Sequence, residues 1–147
     1  MSLLGRWFGQ KKAPVVLLHP EFGELRFSKH DGFVNTSFEL WGYGPFELIV
    51  DAPEAGPSEA QAEAFRRFEG SRESLLPRCI AELDAIRVEM EQPATTLSVS
   101  GLSVPRLDSS PQGTLWTLWF DAEGDDHFMY GIQSDDDWTT IHAFADD

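Results

Sequence analysis

Short β-type runs bounded by Gly, Pro or Asp occupy both halves of this chain, and a single helical pair stands between them. That order constrains the fold most. Strands that follow one another pair antiparallel through tight turns, and helices interposed between two strand sets must share a core with them. The expectation is an α+β domain: a mostly antiparallel sheet from N-terminal and C-terminal strand sets, with the central helical pair packed on one face.

The early runs are Val15 to Leu18, Gly23 to Ser28, Phe33 to Leu40 and Phe46 to Val50. Between the second and third, Lys29-His30-Asp31-Gly32 carries the Asp-Gly pair that favours a tight hairpin, because Gly accepts positive φ without a Cβ clash. Gly42-Tyr43-Gly44-Pro45 reads as a turn. Pro53 to Pro57 then breaks the β pattern. Ser58 opens a helix with Gln61 three residues on, the spacing of a reciprocal cap, and Ala64, Phe65 and Phe68 form its apolar stripe. Gly70 ends it. Ser74 is the expected cap of a second helix with Pro77 in its first turn, where the missing N–H costs little. Leu75, Leu76, Cys79, Ile80, Leu83, Ile86 and Met90 recur at three- and four-residue spacing and mark an amphipathic core helix. After Pro93 come Leu97 to Val99, Leu102 to Leu107, Leu115 to Phe120, Phe128 to Gln133 and Thr139 to Phe144. Alternation in Leu115 to Phe120 sends Trp116, Leu118 and Phe120 to one face and Leu115, Thr117 and Trp119 to the other. Such a strand is either covered on both sides or exposes Trp119 as a binding anchor.

A chain of 147 residues fits one domain able to bury roughly two-thirds of its unfolded surface. Residues 1–13 read as a basic, apolar tail (Leu3, Leu4, Arg6, Trp7, Phe8, Lys11, Lys12) and 14–147 as the single domain. The tail suits a short interfacial helix, but with so few cations and an acidic body behind it, membrane contact through residues 1–12 is expected to be weak. Cys79 is the lone cysteine, so no internal disulfide forms and a reducing cytoplasm fits best. No apolar run suggests a membrane span, and the start lacks the pattern of a signal peptide.

Charge is the strongest functional clue. The formal net charge is -14, and the last 27 residues, Asp121 to Asp147, hold nine carboxylates and neither Lys nor Arg. A surface of this sign disfavours nucleic acid and anionic membrane and favours a basic protein or a cation. Candidate partner-binding residues are Asp125, Asp126, Asp135, Asp136 and Asp137, with Trp119 and Trp138 as aromatic anchors; Trp138 follows three Asp directly, an anchor beside an acidic rim.

Other chemistries lack their signatures. Asp121, Glu123, Asp125 and Asp126 offer oxygen ligands without the spacing or terminal Glu of an EF-hand loop. His19, His30, His127 and His142 never fall at zinc-pair helical spacing, although His127 and His142 are candidates to face each other across paired strands, with Asp126 nearby. Cys79 lies on an apolar helix face, unsuited to a nucleophile. No nucleophile elbow, P-loop or dinucleotide fingerprint occurs. No catalytic residue, metal or cofactor is expected.

Phe22-Gly23-Glu24-Leu25, Trp41, Pro57-Ser58 with Gln61 and Phe68, the Leu75 to Ile86 helix, and Trp116, His127-Phe128 and Ile132 together resemble a family of small bacterial α+β domains of unknown function, some encoded near toxin and immunity genes. The resemblance spans residues 14 to 146. It implies a bacterial cytosolic protein whose role, if immunity-like, is stoichiometric binding. The leading expectation is therefore a non-enzymatic protein-binding domain with an acidic face, of the kind that inhibits a basic toxin. Three alternatives stand beside it: an enzyme or small-ligand binder with a pocket between helices and sheet, a domain tethered through its N-terminus, and an acidity that serves solubility alone.

Overall fold

A computed structural model describes residues 14–107 and 115–147. The basic tail, and with it the tethering reading, lies outside the described residues. Eight strands form one sheet: β1 (Val16–His19), β2 (Gly23–Ser28), β3 (Gly32–Leu40), β4 (Tyr43–Val50), β5 (Leu97–Val104), β6 (Trp116–Ala122), β7 (Met129–Ser134) and β8 (His142–Asp146). Their spatial order is their sequence order. Every neighbouring pair is antiparallel except β4 and β5, which run parallel. A parallel pair needs a long crossover. Helices α1 (Glu59–Glu69) and α2 (Arg72–Glu89) supply it, so two four-stranded meanders join through one parallel seam. The molecule is an α+β protein in which the sheet dominates.

The Ser58 cap forms as its spacing predicts: Ser58 Oγ accepts the Gln61 N–H at 3.1 Å and Gln61 Oε1 accepts the Ser58 N–H at 2.9 Å. Gln61 then does something further. Its Nε2 donates to the carbonyls of Asp51 and Pro105, both at 2.8 Å, tying the ends of β4 and β5 to α1. The second helix starts earlier than Ser74 predicts, with Ser71 as its N-cap. Gly70 keeps a right-handed φ of -72°, so α1 runs into α2 almost without a linker. Ser74 Oγ bonds back to the Ser71 carbonyl at 3.0 Å and caps nothing downstream, and Pro77 consequently lies inside α2.

Other boundaries move, and the last strand starts at His142 where the sequence suggested Thr139. Leu40 pairs with Tyr43, so the β3–β4 hairpin loop is Trp41-Gly42, both at positive φ (57° and 87°), and Tyr43 to Pro45 already belong to β4. The two runs expected after Pro93 are one strand, β5, whose register shifts between Val99 and Gly101.

One sheet face is apolar across the seam, with Leu48, Leu102, Leu118 and Ile132 in one row, all buried. The helices close it with aromatic rings: Phe65 meets Phe22 and Phe38, and Phe68 meets Trp41, Trp116 and Trp138. Cys79, Leu75 and Leu83 of α2 complete the core.

Candidate functional site

The opposite sheet face is fixed by the same registers. One row runs across all eight strands as Val16, Arg26, Val34, Ile49, Ser103, Thr117, Gln133 and His142. The next row reads Glu47, Gly101, Trp119, Gly131 and Phe144. Trp119 is half-buried, its indole edge-on to Phe144 with centroids 5.4 Å apart and planes at 81°. Both rings lie over glycines. A Cβ on Gly101 would sit 3.2 Å from Trp119 Cδ1, and one on Gly131 2.3 Å from Phe144 Cζ. Around the rings stand exposed Glu47, Asp121 and Asp146, and Met129, which is 53% exposed. No Lys or Arg occurs on β4 to β8, whereas Arg66, Arg67, Arg72, Arg78 and Arg87 all belong to the helices. Among the described residues Glu47, Asp121 and Asp146 enter no ion pair.

The acidic residues singled out from the sequence do not form one patch. Asp125 and Asp126 lie beyond the Met129 end of β7 and Asp135 to Asp137 beyond its Ser134 end, a strand of six residues and roughly 20 Å between them. Asp125 is withdrawn from the surface. Its carboxylate is 6% exposed and pairs at 3.0 Å with Arg87, itself 4% exposed. Tyr130 Oη donates to Asp125 Oδ2 at 2.6 Å and accepts from Arg87 at 2.7 Å, while the N–H groups of His127 and Phe128 donate to Oδ1. The Tyr130 hydroxyl foremost, with the backbone donors and Arg87, pulls the Asp125 pKa down to about 2. Burial pushes the Tyr130 phenol up, and the neighbouring carboxylate adds to it. This cluster locks the β6–β7 turn onto α2. Arg87 escaped the sequence reading, although its place four residues after Leu83, on the buried side of α2, was the signal.

Trp138 is corrected outright. It is 5% exposed and packs into the core against Phe68 (4.9 Å) and edge-on to Trp116 (5.9 Å), so it is no surface anchor. The turn folds it inward: Asp137 and Trp138 adopt φ of 59° and 69°, the Trp138 N–H donates to Ser134 Oγ, and Arg78 donates to the carbonyls of Trp138 and Thr139. The neighbouring carboxylates serve this turn. Asp136 accepts the Thr140 N–H, which with the nearby hydroxyls lowers its pKa, and Asp137 pairs with Arg67 at 3.2 Å. Asp135 is exposed.

Asp121, Asp125, Asp126, His127, Asp146 and Asp147 line an open cleft of ≈ 610 Å³ at the end of the sheet, together with Phe128 and Met129. His142 pairs with Gln133 at the far end of β7, so the two histidines do not face each other. No group of three or more His, Cys, Asp or Glu among the described residues is arranged to hold a metal ion. The Cys79 thiol, buried in the core, is pushed up to about 12 and is no nucleophile at neutral pH.

Compared with protein-family models, curated proteins and solved structures, the chain matches none. No helix among those described is long and apolar enough to cross a membrane.

Proposed function

We propose that the chain is a non-enzymatic, cytoplasmic protein-binding domain that presents the open face of β4 to β8 to a basic protein, in the manner of an immunity-type inhibitor of a basic toxin. One observation carries this reading: Trp119, Phe144 and Met129 form an apolar centre rimmed by Glu47, Asp121 and Asp146, on strands that hold no Lys or Arg. Complementary charge speeds encounter and aromatic contacts supply affinity. The acidic face is thus the sheet surface, and of the aromatic residues singled out from the sequence Trp119 retains the anchoring role.

The test compares capture of host proteins at low and moderate salt by the wild type and by a Glu47→Gln, Asp121→Asn, Asp146→Asn variant. A basic protein held by the wild type, released by salt and lost from the variant supports the reading. Retention unchanged by the three substitutions rejects it. A second reading, a small-ligand binder, draws on the cleft that brings His127 together with Asp126, Asp146 and Asp147; it lies at the sheet's end, whereas the alternative drawn from the sequence placed the pocket between helices and sheet. Loss of a small cationic ligand on His127→Ala and Asp126→Asn, with protein capture unaffected, distinguishes it.

A further inference from the structure

We propose that the corner between Trp119 and Phe144 is a cation seat that takes the guanidinium of an arginine side chain from the basic partner, an inference that rests on the protein-binding reading above. Two rings meeting at 81° with centroids 5.4 Å apart make a floor and a wall, which is half of an aromatic cage. The two rings lie over glycines of the neighbouring strands. Gly101 and Gly131 flank Trp119 in the same row, and a Cβ at either position would press on these rings. The rings therefore rest on strand backbone, and the two glycines place no side chain of their own beneath them.

Charge selects the occupant. Asp121 and Asp146 stand two residues from Trp119 and Phe144 on the same sheet face, roughly 7 Å along their strands, and Glu47 lies across Gly101. A cation held on the π face of either ring lies within reach of one of these carboxylates. Arginine fits better than lysine, because its planar guanidinium stacks on a ring while its edge donates to a carboxylate, whereas an ammonium is a compact and strongly hydrated point charge. Aromatic rings on an open sheet also suit stacked nucleobases, but the phosphates of such a strand would meet three carboxylates and no cation on β4 to β8.

The experiment titrates the full chain with acetylated tetra-arginine, tetra-lysine and tetra-glutamate amides and with oligothymidine at low salt, following the Trp119 indole and Phe144 ring resonances. The expected result is saturable tetra-arginine binding that shifts both rings and is about five-fold tighter than tetra-lysine. Trp119→Leu and, separately, Phe144→Leu should abolish that preference, with amide spectra showing the fold intact. Equal binding of the two cationic peptides, or an arginine preference that survives both variants, overturns the seat and leaves the acidic face standing. Failure of both cationic peptides to bind overturns the seat and the acidic face together. Tighter binding of oligothymidine than of tetra-arginine overturns the cation in favour of a nucleobase.

Discussion

At the scale of single residues, Arg87 is the one buried charged residue among those described. It gives one hydrogen bond each to Asp125, Tyr130 and the Pro93 carbonyl, and its guanidinium sits 5.0 Å from the centre of the Tyr130 ring. Removing one partner of such a pair strands the other without water, which costs about 3–5 kcal/mol. Arg87→Ala is therefore expected to lower stability by that amount in urea unfolding. The same cluster predicts pH dependence. A carboxyl held at about 2 in the folded chain, against an ordinary value near 3.9, stabilises the fold above the ordinary value, and that contribution is lost as pH falls toward 2. Asp125→Asn should flatten the acid limb of the stability profile in this window, and an unchanged limb would show that Asp125 does not titrate as described. Gly131 gives a second test. Its Ala variant forces a Cβ to within 2.3 Å of Phe144 Cζ, an overpacking worth about 1–3 kcal/mol, and the penalty should vanish when Phe144 is also Ala.

At the scale of elements, the α1 cap makes a graded prediction. Ser58→Ala should cost about 1 kcal/mol in thermal melts, the usual value of a lost cap. Gln61→Ala should cost distinctly more, because it also orphans the Asp51 and Pro105 carbonyls that hold the β4–β5 seam. Equal losses would mean that Gln61 acts only as a cap. The cap was legible because Ser-x-x-Gln names its own hydrogen bonds, and the strands were legible because turn residues punctuate them. What lay beyond reading were pairings across distance. Nothing near Ser74 says that Ser71 and Gly70 already carry the chain from helix to helix, and nothing near Trp138 reveals Phe68 and Trp116 waiting behind it. The order of β4 and β5 within the sheet depends on a crossover of two helices, which local pattern does not encode. For the site, Trp119 was visible through alternation, whereas Phe144 became its neighbour only through the β6–β7–β8 register.

At the scale of the whole molecule, a charge of -14 pulls in two directions that salt can separate. Crowded carboxylates repel one another more in the compact chain than in the unfolded one, so raising ionic strength toward physiological values, where the screening length falls to about 8 Å, should raise the melting temperature. The same salt should weaken a basic partner's association, because it screens the attraction that brings the two surfaces together. An acidity kept for solubility alone predicts the first effect without the second. Position separates the two further. Two variants, each losing three carboxylates, have the same net charge: Glu47→Gln, Asp121→Asn, Asp146→Asn on the open sheet face, and Glu54→Gln, Glu82→Gln, Asp135→Asn on exposed sites away from it. If net charge is the whole of the matter, both lower solubility and slow association alike. If the sheet face docks the partner, the first set alone should also speed dissociation, since only there do the lost carboxylates lie at the contact; dissociation rates measured for the two variants at one salt concentration decide between a charged shell and a surface built to bind.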